Sequence, residues 1–80
     1  MFAINAKTVK ILNGKKLSTI IKKYQFDIFN FIDNNGEEMS NNAYKALKNK
    51  KVNLKMLKND PNYDFMLKVD NFIACCIFDY

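Results

Sequence analysis

An α+β fold is what this 80-residue sequence predicts. Residues 17–32 repeat apolar side chains at helical spacing, which is a helix signal. Residues 63–78 alternate and then run apolar on either side of an Asp-Asn pair, which is a hairpin signal. With 49% hydrophobic residues there is enough apolar material for one core. A chain of this length forms one domain, residues 1–80, and buries only about 60% of the surface its unfolded form exposes, so pairing into a homodimer would help it.

Taken in order, Phe2, Ile4 and Ala6 alternate with Ala3, Asn5 and Lys7, and Val9 and Ile11 carry the alternation onto the other face. The pattern predicts an N-terminal strand with a shift near Lys7 or Thr8, ended by Asn13-Gly14. A long helix comes next, from about Lys15 to Asn34. Leu17, Ile20, Ile21, Tyr24, Ile28, Phe31 and Ile32 share its inner face, and Asn34-Asn35-Gly36 supplies left-handed residues to close it. Phe26 and Phe29 fall outside that stripe, on the side of Lys15, Lys22 and Lys23.

A competing division makes Leu17 to Tyr24 one helix and Ile28 to Asn35 a second, with Gln25-Phe26-Asp27 as a tight turn that buries Phe26. Its second helix would offer Asp27 and Asp33 and no lysine to a polyanion. The single helix is therefore preferred.

Ser40 is a good N-cap, and Asn41 to Lys51 reads as a short helix with Ala43, Ala46 and Leu47 inward. Asn59-Asp60-Pro61-Asn62 then breaks the chain. Beyond it, Tyr63, Phe65, Leu67 and Val69 alternate with Asp64, Met66, Lys68 and Asp70, and Phe72 to Phe78 reads as their buried partner after an Asp70-Asn71 turn. The alternative is a C-terminal helix over residues 61–80, begun by Pro61, which would make the chain mostly α. It leaves Lys68 and Asp79 beside Phe72 on its apolar side. With the hairpin, the order strand, helix, helix, strand, strand is that of a winged helix lacking its first helix, an analogy of element order alone.

Composition narrows the chemistry. Histidine and arginine are absent, Gly14 and Gly36 are the only glycines, and no carboxylates stand at metal-ligand spacing. No catalytic residue, metal ligand or cofactor is assigned, and a non-enzyme is expected. Cys75 and Cys76 are neighbours, a geometry that opposes a mutual disulfide, and they are expected as small core residues. No apolar run approaches the roughly 18 residues of a membrane span, and the opening residues read as a strand and not as a signal peptide. A cytoplasmic protein without membrane contact is expected. The thirteen basic residues are all lysine and twelve asparagines accompany them, a bias of AT-rich genomes such as those of phages, mobile elements and low-GC bacteria.

Charge is unevenly divided: residues 1–58 hold twelve lysines and four acids, +8, and residues 59–80 one lysine and four acids, −3, against +5 overall. Between residues 43 and 58, Lys45, Lys48, Lys50, Lys51, Lys55 and Lys58 have no acid among them. Unpaired ammonium groups are too costly to bury, so most of these must be exposed on one side. A charge run is often only a solvated face, but here Asn41, Asn42 and Tyr44 add hydrogen-bonding and stacking groups. Lys22, Lys23 and Phe26 of the long helix extend the same expected polyanion-binding face.

Lysine is a point charge suited to phosphate, and the arginine fork that reads guanine is missing, so backbone and shape contacts should dominate. The expectation is a non-enzymatic regulatory module that binds RNA or DNA. The alternative is a protein-binding inhibitor or adaptor of the phage or mobile-element kind, docking its basic face on an acidic surface of a host enzyme.

Overall fold

The alternation after Tyr63 does build a hairpin, and the sheet grows outward from it. In the computed structural model, which describes residues 4–58 and 60–79, it comprises β3 (Phe65–Val69) and β4 (Phe72–Phe78). Phe65, Leu67 and Val69 are buried on one face while Lys68 between them is exposed. Asp70 takes a positive φ of 54° in the two-residue connection, a conformation that aspartate tolerates better than most residues. Its carboxylate accepts from the Asn53 amide at 3.0 Å and its own amide donates to the Asn53 carbonyl at 2.8 Å. The alternative C-terminal helix over 61–80 is thereby excluded.

Among the described residues five further elements precede the hairpin: α1 (Ala6–Leu12), α2 (Leu17–Tyr24), β1 (Phe26–Ile32), α3 (Asn41–Lys48) and β2 (Leu54–Leu57). The four strands form one antiparallel sheet in the order β1-β4-β3-β2. The class is α+β, as expected, but the winged-helix-like order does not appear. A helix stands where the first strand was expected, and two strands flank the hairpin.

Each departure has a local cause. Residues 1–3, which began the expected N-terminal strand, lie outside the described residues. From residue 6 the chain is helical: the Asn5 side chain accepts from the Thr8 amide at 2.9 Å as an N-cap, and Val9 and Leu12, three apart, bury one face. The long helix expected over 15–34 stops at Tyr24, because Gln25 adopts the left-handed conformation (φ 53°, ψ 58°) and its amide closes α2 on the Ile21 carbonyl.

The next seven residues, FDIFNFI, are rich in β-branched and aromatic side chains and pair with β4. Phe26 is therefore not the exposed residue expected beside Lys22 and Lys23: it is 1% exposed, with its ring edge-on to Phe65 at 5.0 Å. The expected helix 41–51 stops at Lys48, and residues beyond it leave to pair with another segment.

The core lies between the helices and one face of the sheet. Leu17 and Ile20 are buried there as expected, and Ile21, Tyr24 and Ile28 pack at its margin. Ile32 does not join it. It pairs with Ile73 and, by register, both lie on the opposite face of the sheet from Ala74 and Phe31. Cys76 points into the core and Cys75 to that opposite face, yet both are buried. Residues 60–64 fold back across the second face. The Tyr63 amide donates to the Asp60 carbonyl at 3.0 Å around Pro61, and the Tyr63 hydroxyl reaches Asn30, which is paired with Cys75, at 2.7 Å.

Candidate polyanion-binding surface

A short backbone ladder gathers the lysines. The Gly14 amide donates to the Val52 carbonyl (2.9 Å), the Val52 amide to the Lys15 carbonyl (3.1 Å), and the Leu17 amide to the Lys50 carbonyl (3.2 Å). Gly14 enters this ladder at φ 83°, a conformation that side chains resist. Lys16 stands directly opposite Lys51 across it, and Lys15, Lys16, Lys50 and Lys51 are all exposed. One strand further, Lys55 of β2 stands directly opposite Lys68 of β3, both exposed on the face turned away from the core. Two like-charge pairs thus face each other across paired backbones, an arrangement that destabilises by some tenths of a kcal/mol up to about 1 kcal/mol each.

The expected set is only partly brought together. Lys50, Lys51, Lys55 and Lys58 are exposed along the β2 side of the molecule, where Lys15, Lys16 and Lys68 join them. Lys45 and Lys48 occupy the last turn of α3, and Lys22 and Lys23 the last turn of α2, where the Lys23 ammonium lies 5.7 Å from the centre of the Tyr24 ring. Asn41 and Asn42 are exposed at the opposite end of α3 from the ladder. Tyr44 is half-buried with its ring 5.4 Å from Phe31, and burial pushes its hydroxyl pKa up, so it belongs to the core margin more than to a stacking platform. Phe26, in the core, is removed from the surface set. The run 43–58 thus turns a corner after Lys48 and does not present one face.

Several carboxylates are engaged by backbone amides, and one of them, Asp70, lies at the edge of this surface against Asn53. Asp33 accepts from the Asn35 and Glu37 amides, Asp60 from Asn62, Asp64 from Phe78 and Asp70 from Asn53. Asp33 and Asp60 close turns, whereas Asp64 and Asp70 tie together segments 14 and 17 residues apart.

The other edge of the sheet has the opposite character. Residues 26–38 contain Asp27, Asp33, Glu37 and Glu38 and no lysine. The Met39 amide donates to the Phe31 carbonyl at 2.8 Å and Glu38 bridges to Ile32, which covers the end of β1. A bulge between Ile28 and Asn30 leaves Phe29 unpaired and 66% exposed. Beside it a cleft of about 140 Å³ is lined by Ile28, Phe29, Asn30, Phe31, Glu38, Met39, Asn41 and Tyr44. Because a carboxylate can only accept, the Asn30 amide nitrogen faces Glu38, and the Tyr63 hydroxyl donates to the Asn30 oxygen at 2.7 Å.

Among the described residues no group of three or more His, Cys, Asp or Glu side chains is placed to hold a metal ion, and no helix is long and apolar enough to cross a membrane. No family model matches the chain, and neither a curated protein nor a solved structure is found similar to it.

Proposed function

We propose that the chain is a small non-enzymatic module that binds nucleic acid through phosphate contacts from its β2-side lysines. The observation that supports this reading is the pair of like-charge contacts, Lys16 with Lys51 and Lys55 with Lys68, maintained with no acid in either partner segment. Such repulsion is tolerated when a polyanion relieves it, and a row of phosphates does so without requiring the planar fork of arginine. Recognition then rests on backbone spacing and shape, with little readout of base edges.

The test is a salt series on mixed-sequence RNA and DNA with the wild-type protein and Lys51→Gln. Binding by about six phosphate contacts should weaken by roughly three decades between 50 and 200 mM salt. Lys51→Gln should lower the slope of log affinity against log salt by about one unit, equally across sequences. Affinity that ignores salt, or no binding at the lowest salt, overturns the reading. A partner that survives nuclease treatment and competes through the same lysines would point instead to an acidic protein surface.

A further inference from the structure

We infer that the open edge of β1 is a docking site for the lysine edge of a second copy of this chain. The sheet ends on β1 at one side and on β2 at the other. At β2 the Leu54 amide is taken by the Asn13 side chain, and Lys55 stands on the strand as a charge of the kind that blunts an edge. At β1 only the far end is covered, by Glu38 and Met39, and Phe26 to Asn30 have no outer strand among the described residues. Exposed edges of this kind template association unless lysine, proline, a bulge or a covering loop blunts them; residues 26–30 hold no lysine or proline, and their one such device is the bulge at Phe29. Phe29 instead offers an exposed aromatic ring next to the cleft.

Charge selects the occupant. The β1 side, residues 26–38, carries four acids and no lysine, whereas the two ladder segments and β2 with the residue after it carry Lys15, Lys16, Lys50, Lys51, Lys55 and Lys58 and no acid. Joining two β1 edges would oppose acid to acid, and joining two lysine edges would oppose ammonium to ammonium. Head-to-tail contact alone is complementary. A lysine of the second copy entering the cleft meets the Glu38 carboxylate, with the Phe29 and Tyr44 rings beside it. The contact is heterologous, so it extends with concentration and does not close into a dimer. It goes beyond the nucleic-acid reading and predicts competition with it, because both occupy the same lysines.

The experiment is sedimentation velocity on nuclease-treated protein over a concentration series, at low salt and at about 1 M salt, where the screening length falls to about 3 Å. Wild type should form species that grow with concentration at low salt and dissociate at high salt. Glu37→Gln with Glu38→Gln, and separately Lys50→Gln with Lys51→Gln, should each weaken association at least tenfold. An equimolar mixture of the two variants should form a one-to-one pair that grows no further, because each retains one intact edge. Phe29→Ala, which leaves charge unchanged, should also weaken association. The inference is overturned if wild type stays monomeric throughout, if it forms a dimer that stops growing, if Phe29→Ala and the glutamate variant associate like wild type, or if the mixture does not pair. Since Glu37, Glu38 and Phe29 lie outside the lysine surface, nucleic-acid binding by those variants separates failure here from failure of the proposed function.

Discussion

Replacing Phe26 with alanine is expected to remove a large share of the protein's stability. The side chain is 1% exposed, its ring meets Phe65 edge-on at 5.0 Å, and Phe65 in turn meets Phe78 at 5.1 Å, with Phe26 and Phe78 paired across the sheet. Truncating a buried phenylalanine costs about 3–5 kcal/mol through lost transfer free energy and the cavity left behind. A domain of this size has roughly 4–12 kcal/mol in all. A urea titration should therefore show a midpoint lowered by about a quarter or more. A surface phenylalanine in a single long helix predicts no movement of the midpoint, so the measurement separates the two arrangements.

Charge reversal at the ladder should move binding and stability in opposite directions. Lys16→Glu alone converts the Lys16–Lys51 repulsion into a cross-strand ion pair, which should stabilise the fold by a few tenths of a kcal/mol. Adding Lys51→Glu restores a like-charge pair, so the double variant should melt near wild type. Its affinity for nucleic acid should fall by on the order of a hundredfold or more, because two phosphate contacts are lost and two repulsions replace them. Reading thermal midpoint and affinity on the same samples distinguishes this from partial unfolding, which would lower both. Unchanged affinity in the double variant would falsify the assignment of the ladder to the binding surface.

The legible parts of the fold are those whose cause is local. Asp70-Asn71 lies between two segments with strand character, so turn and strands can be read together. Ser40 heads α3, accepting from the Ala43 amide at 3.4 Å, so that helix start is readable as well. Residues 17–32 are not legible as helix plus strand, because a segment with so many apolar residues satisfies a 3.6-residue period and a 2-residue period at once. The residue that decides is Gln25, whose left-handed backbone goes with the docking of Phe26 and carries no mark in its own identity. Lys15 and Lys16 escape a sequence reading of the site for a related reason. Their meeting with Lys50 and Lys51 is a tertiary pairing across distant sequence positions, signalled by nothing except the Asn13-Gly14 turn that precedes it. The exposure of Lys50, Lys51, Lys55 and Lys58 is readable because it results from the cost of burying an ammonium group.

The neighbouring cysteines give the molecule two reporters of motion. Cys76 lies inside the core, 0% exposed, and burial pushes its thiol pKa well up; Cys75, 2% exposed, lies on the other face of the same strand, with its thiol pKa also raised by burial and by Asp60. A thiol reagent needs both thiolate and access, so neither reacts in the closed state. Opening of the second face, which Tyr63 reaches at Asn30, should expose Cys75 while the sheet and helices stay together, whereas Cys76 should be reached only when they separate. The modification rate of Cys75 should therefore vary little with denaturant, as a local opening does, and that of Cys76 should climb steeply with the global unfolding equilibrium.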